Sequence, residues 1–209
     1  MRAARLTALV LLSLVTCATA GEDDVEPLMP APAGPYRGTV VDAASKRPLA
    51  NAAVVLIWQR PDDQFPQRRK TAAVSEAMTD GAGQFVFNVA SIEQRLATRS
   101  FAPRIMIFKP GYAHFPQPGM LHPPGALASR FAVSGVEVAL TPVTDYDDRA
   151  DAFNRFIALF NANDVDYFSM MFPAPTGKEV IPETVQVLRE EYQHLLATAP
   201  KPPGPGGKR

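Results

Sequence analysis

The fold class this sequence predicts is mainly β: an antiparallel seven-stranded β-sandwich followed by a C-terminal α-helical extension. Three observations point there. Short runs with apolar residues at every second position recur between residues 36 and 140, the period of a strand with one face in a core. Stretches rich in glycine, proline and aspartate separate these runs and supply the backbone angles that reverse a chain. Beyond about residue 143 the apolar spacing lengthens to three and four, the period of a helix lying on a core.

The first 20 residues fall outside the predicted fold. Arg2 and Arg5 precede an apolar run at residues 6 to 15, and Ala18-Thr19-Ala20 follows at cleavage-site spacing, the pattern of a secretory signal peptide. The run is half the length a spanning helix needs, and no later stretch approaches that length, so no transmembrane segment is expected in the mature chain. The single cysteine, Cys17, lies in this leader. Leu14-Val15-Thr16-Cys17 is loosely similar to a lipobox, which makes a membrane-anchored lipoprotein through Cys17 the alternative to simple cleavage. With cleavage after Ala20 the mature chain has no cysteine, which excludes disulfides, thiol catalysis and cysteine-ligated zinc.

The charge is balanced, with 21 basic and 21 acidic residues; loss of Arg2 and Arg5 with the leader leaves a net charge of about −2. Nothing in that balance steers the chain toward nucleic acid. The expected location is exported, periplasmic or extracellular. Residues 21 to 35 are acidic, then rich in proline and alanine, the composition of a linker.

The sandwich is expected over residues 36 to 142. Tyr36-Arg37-Gly38-Thr39-Val40-Val41-Asp42 opens it, and residues 43 to 48 form a polar reversal. From Leu49 to Trp58 both alternating sets are apolar, which places this strand inside the sandwich rather than at its edge. Trp58 is expected in the core or at its rim. A polar hairpin loop follows at residues 59 to 70, then a strand at 71 to 78. The turn Thr79-Asp80-Gly81-Ala82-Gly83 gives glycine where positive φ is needed. Further strands are expected at residues 84 to 89, 104 to 108 and 135 to 140.

Beyond them lies the helical extension, residues 143 to 199. Phe153, Phe156, Ile157 and Phe160 make one helical stripe; Ile181, Val185, Leu188, Tyr192 and Leu195 make a second. Asp145, Asp147, Asp148 and Asp151 gather at the first helix's start, where carboxylates are favoured by the helix dipole. Residues 200 to 209, rich in proline and glycine, are expected to form a disordered tail.

Four blocks carry a family resemblance. Gly38-Thr39-Val40-Val41-Asp42, Pro48-Leu49-Ala50-Asn51-Ala52-Ala53-Val54, Thr79-Asp80-Gly81-Ala82-Gly83-Gln84-Phe85 and Lys109-Pro110-Gly111-Tyr112 resemble, in order, the carboxypeptidase regulatory-like domain with its transthyretin-like (prealbumin-like) β-sandwich. The resemblance covers about residues 36 to 141. It implies an accessory module with no activity and no cofactor of its own, since in metallocarboxypeptidases a separate domain holds the catalytic site. The chain departs from the family in its long hairpin, its long segment before Gly135 and its helical end.

No catalytic set, and so no catalytic or metal-ligating residue, emerges from the sequence. His114, His122 and His194 are the only histidines, and no zinc-protease helix motif or phosphate-binding glycine loop is present. The Tyr-Arg-Gly-Ser tail of hydroxyisourate hydrolases is missing, and His114 and His122 are too far apart for the iron site of intradiol dioxygenases. The segment from 110 to 134 reads as a long loop without strand or helix pattern, a length often associated with function. Tyr112, His114, Phe115, His122 and Arg130 are its candidate binding residues.

The expected function is therefore an exported, non-enzymatic binding or scaffolding module, with an unknown protein or carbohydrate partner at the cell envelope. One alternative is a metal-binding protein or metal-dependent enzyme using His114 and His122. Another is a carbohydrate-binding module, with Trp58, Tyr112 or Phe115 as the stacking platform.

Overall fold

A computed structural model of the chain describes residues 34–65, 68–90, 92, 96, 102–117, 124–161 and 183–200. Among them are six strands and three helices: β1 (Tyr36–Asp42), β2 (Ala53–Pro61), β3 (Arg69–Met78), β4 (Gln84–Phe87), β5 (Arg104–Phe108), α1 (Pro124–Val133), β6 (Val136–Leu140), α2 (Tyr146–Asn161) and α3 (Glu183–Thr198). The content is mixed rather than plainly β, and the strands fall into two three-stranded sheets ordered β4-β1-β6 and β3-β2-β5.

The expected all-antiparallel, seven-stranded pattern is not what the described residues form. β1 pairs antiparallel with β4 but parallel with β6, from Gly38 opposite Val136 to Asp42 opposite Leu140. β6 reaches β1 from the other sheet, through β5 and then α1, and not through a hairpin, so the antiparallel direction that a tight turn imposes does not apply to this pair. α1 is itself a departure from the structureless loop expected at 110 to 134. It begins at Pro124, where proline's fixed φ suits a first helical position. Ala128 and Phe131, three residues apart, are fully buried, and Gly135 follows at φ 72°, a left-handed stop that glycine adopts at little cost.

β2 is the central strand of its sheet, antiparallel to both β3 and β5, with an irregularity between Trp58 and Gln59. Its apolar residues divide by parity. Val54, Leu56 and Trp58 enter a cluster with Tyr36, Val40, Phe85 and Leu140 of the other sheet. Val55 and Ile57 enter a second cluster with Phe153, Phe156 and Val185 of the helices. β5 divides the same way, with Ile105 and Ile107 in the first cluster and Met106 and Phe108 in the second. Alternation thus serves two cores, and each fully buried Val, Leu, Ile or Phe side chain contributes about 1.5–3 kcal/mol.

In the first core Tyr36 and Trp58 meet edge to face at 6.3 Å, and Phe131 brings α1 against Phe85 at 5.9 Å. In the second, Phe156 stacks on Phe108 at 4.8 Å. α2 and α3 are joined by a two-pronged ion pair: Arg149 Nε lies 2.6 Å from Glu191 Oε1, and Arg149 Nη2 lies 2.7 Å from Glu191 Oε2. The Glu191 side chain is 1% exposed, and a carboxylate so buried requires such a partner.

The turn before β4 forms as the sequence indicates. Asp80 Oδ1 accepts from the Ala82 and Gln84 amides at 2.9 and 2.8 Å. Gly83 stands at φ 70°, and a Cβ there would run into the Val40 carbonyl oxygen. Thr79 completes the corner: its Oγ1 donates to the Leu49 carbonyl at 2.6 Å and accepts from the Ala52 amide at 2.8 Å.

The leader with Cys17, the linker up to residue 33 and the tail from 201 lie outside the described residues. Among the described residues no helix is long and apolar enough to cross a membrane.

Candidate functional site

The stretch after β5 joins the two sheets. Ile107 and Phe115 exchange both backbone hydrogen bonds at 2.9 Å. Two residues earlier, the Ala113 amide donates to the Thr141 carbonyl at 2.8 Å, and the Val143 amide donates to the Gly111 carbonyl at 2.8 Å. Residues 111 to 115 are therefore held on one side by β5 and on the other by the chain leaving β6. That second chain runs directly into α2, so the seam and the first turns of α2 are fixed relative to each other.

Between them lies an open groove of about 450 Å³. Ala113, His114 and Gln117 line it from the seam, residues 141 to 145 form its base, and Asp148, Asp151 and Arg155 line it from α2. The helix contributes these groups from one face, since residues three, four and seven apart share a side. Asp145 Oδ1 accepts from the Asp147 and Asp148 amides at 2.8 and 3.3 Å, a side-chain cap of the helix start. Arg155 Nε reaches Asp151 Oδ2 at 2.6 Å. Both partners are more than half exposed, which limits the stability this pair adds.

His114 is the buried member of the set, only 3% exposed. Its ring lies 6.0 Å from that of Phe156, at the edge of the second core. Nδ1 has no hydrogen-bond partner. Burial, reinforced by the Arg155 guanidinium, pushes the imidazole pKa below its ordinary value, against opposing pulls from the Ala152 backbone and Asp151. The ring is consequently neutral at pH 7.

The five residues expected to form a binding loop are dispersed. His114 reaches the groove. Tyr112 turns to the opposite side of the seam, where its hydroxyl donates to Asp42 Oδ2 at 3.1 Å. Phe115 packs half-buried against the first core. Arg130 is exposed on α1 and does not line the groove. His122 lies outside the described residues. Trp58 is fully buried and offers no face for stacking a sugar.

Asp145, Asp148 and Asp151 read in the sequence as helix-start acids, and Asp145 does serve that role. Their second role was unmarked, because the groove's other wall comes from a segment about 30 residues earlier. The one local signal is that Asp148, Ala152 and Arg155 fall on a single helical face, with a small residue between two charged ones. Among the described residues no group of three or more His, Cys, Asp or Glu side chains is arranged to hold a metal ion. Compared with known proteins, the chain matches no family model and no curated protein sequence.

Proposed function

We propose that the chain is an exported, non-enzymatic binding module, a carboxypeptidase regulatory-like sandwich of transthyretin type whose helical end and seam form a ligand groove. The observation that carries this reading is the convergence of residues 113 to 117 with α2 on one open space of about 450 Å³, a volume in the range of small-ligand sites. The four sequence blocks support the sandwich, and the leader pattern supports export.

Two experiments test it. Intact-mass analysis of protein recovered from the producing cell's envelope and medium is expected to show a chain beginning at Gly21; a chain retaining residues 1 to 20 overturns export, and one beginning at a lipidated Cys17 replaces cleavage by anchoring. A fragment panel of cations, anions and neutral sugars, followed by amide NMR shifts, is expected to perturb Ala113, His114 and Asp148 first. Saturable shifts confined to another surface, or a turnover abolished by one substitution in the mature chain, would contradict the reading.

A further inference from the structure

We propose that the end of the β2–β3 hairpin is a peripheral membrane contact, in which the Phe65 ring enters the interface of an anionic phospholipid bilayer and the cations behind it meet the headgroup phosphates. This surface shares no residue with the groove, and its test is independent of the groove reading.

The hairpin forms an arm. β5 pairs with β2 only over Ala53–Ile57, whereas β3 stays paired with β2 out to Pro61 opposite Arg69. Beyond that rung the Asp62 amide donates to the Arg68 carbonyl at 2.9 Å, and the Arg68 amide donates to the Phe65 carbonyl at 2.7 Å. Asp62 Oδ1 accepts from the Gln64 and Phe65 amides at 2.7 and 3.0 Å. Hydrogen bonds therefore continue to the tip, and Phe65 is carried there on a well-tied backbone. Its ring is 45% exposed and is the only exposed aromatic ring among the described residues. The Arg68 guanidinium carbon lies 5.0 Å from the ring centre, a cation–π distance, so ring and charge are presented together.

Positive charge gathers on the same few residues. Arg60, Arg68, Arg69 and Lys70 accompany two carboxylates, Asp62 and Asp63, in a mature chain whose net charge is about −2. Asp63 is engaged by Arg60 at 2.9 and 3.0 Å, and Asp62 holds the tip amides, so the arm is a local positive pole. Arg60 stands directly opposite Lys70 in register, and like charges facing each other across a ladder destabilise it. An anionic surface relieves that repulsion. Arg69 lies on the other face, across from Pro61, so cations flank the tip on both sides.

The size of the arm selects the partner. A stable protein interface takes about 20–30 residues a side, and the stretch from Arg60 to Lys70 offers about half of that or less. A bilayer asks only for an apolar group at its interface and cations at phosphate depth, each cation being worth about fivefold in partition onto an anionic leaflet.

Flotation of the mature chain with lipid vesicles tests the proposal. Partition onto vesicles of equal phosphatidylcholine and phosphatidylglycerol is expected to exceed that onto phosphatidylcholine alone by about tenfold or more, and to fall to the phosphatidylcholine level in about 0.5 M salt. Phe65→Ser, and Arg68→Gln combined with Lys70→Gln, alter exposed side chains; each is expected to keep the parent's urea midpoint and to lose about fivefold or more of the partition. Arg47→Gln removes an exposed cation in the reversal before β2 and is expected to change partition by less than about twofold. Phe65→Trp is expected to add an emission that shifts to the blue on anionic vesicles and is quenched by brominated acyl chains, whereas free glycerol phosphate leaves it unshifted. Equal partition onto the two vesicles, no partition onto either, arm variants that float like the parent, or an emission that vesicles leave unchanged overturns the proposal. If soluble polyglutamate shifts the Phe65 and Lys70 amides and vesicles do not, the arm serves an acidic protein and the membrane proposal falls.

Discussion

The Tyr112 hydroxyl donates to Asp42 Oδ2 across 3.1 Å, joining two residues 70 positions apart. Asp42 ends β1 and Tyr112 belongs to the seam, so this contact ties the polar reversal after β1 to the crossing between sheets. The other oxygen, Oδ1, accepts from the Ser45 amide at 2.6 Å, the Ser45 hydroxyl at 2.9 Å and the Ala44 amide at 3.0 Å. These bonds, with the Ser45 amide foremost, hold the Asp42 carboxyl below the usual carboxylate range. A depressed carboxylate contributes stability that is present above the unfolded value near 3.8 and is lost as pH falls through the folded value. Asp42→Asn is expected to lower the urea midpoint at pH 7 and to flatten its fall below pH 4, measured by denaturation across pH.

Tyr112→Phe separates the two halves of that arrangement. Burial first, and the Asp42 contact second, raise the phenol pKa above 10.0. A raised group contributes stability fully present below its unfolded value and lost as pH rises through the folded one. The Phe variant is expected to be less stable than the parent at pH 7, with the difference narrowing above pH 10; an unchanged difference there would remove the hydrogen bond as its cause.

The fold was partly legible in the sequence. The strands were found by period, and β5 was bounded correctly at residues 104 to 108, because local alternation is written in adjacent residues. α1 was missed because the prolines before it read as loop, while the partner that gives its short apolar face meaning, Phe85, lies about 45 residues earlier. The parallel pairing of β6 was missed for a related reason, since strand direction depends on a connection rather than on the strand. Of the groove, His114 was visible as a candidate, but its acidic wall was accounted for by the helix dipole and called for no second explanation.

The Arg149–Glu191 pair should behave as a unit. Glu191→Ala alone leaves the guanidinium without its main partner and is expected to cost about 3 kcal/mol. Replacing both, as Arg149→Met with Glu191→Leu, is expected to recover most of that loss in a double-mutant cycle read by urea denaturation. Independent, additive losses would show that the two groups do not stabilise each other.

His114 should make the protein acid-sensitive in a second, higher window. Its pKa is lowered in the fold, chiefly by burial, so the unfolded chain takes up a proton first as pH falls below about 6.5. Stability is then lost as pH drops through the folded value, and no such loss is expected for His114→Leu between pH 7 and pH 5. Thermal melts of both proteins across that range check it; parallel pH profiles would count against His114.

Phe156→Ala is expected to cost about 3–5 kcal/mol, because the ring is fully buried and stacks on Phe108. Gly83→Ala is expected to cost about 2 kcal/mol or more, since it combines positive φ with a collision at the Val40 carbonyl. The first loss reports on the helix-side core and the second on the corner before β4, and chemical denaturation of each measures both.

The parity of β2 has a consequence for how the polypeptide matures. Val55, Ile57, Met106 and Phe108 point away from the other sheet and, among the described residues, pack with Val74 and Met78 of their own sheet and with helix residues from 146 onward. During synthesis these residues emerge well before the helices do. A nascent chain ending near Pro142 would carry both sheets with one greasy flank wet, a surface that invites association with other molecules. Proteolysis or termination that removes the helices would accordingly yield a sticky fragment rather than a free-standing pair of sheets, and the last third of the chain acts as the sheets' own solubiliser.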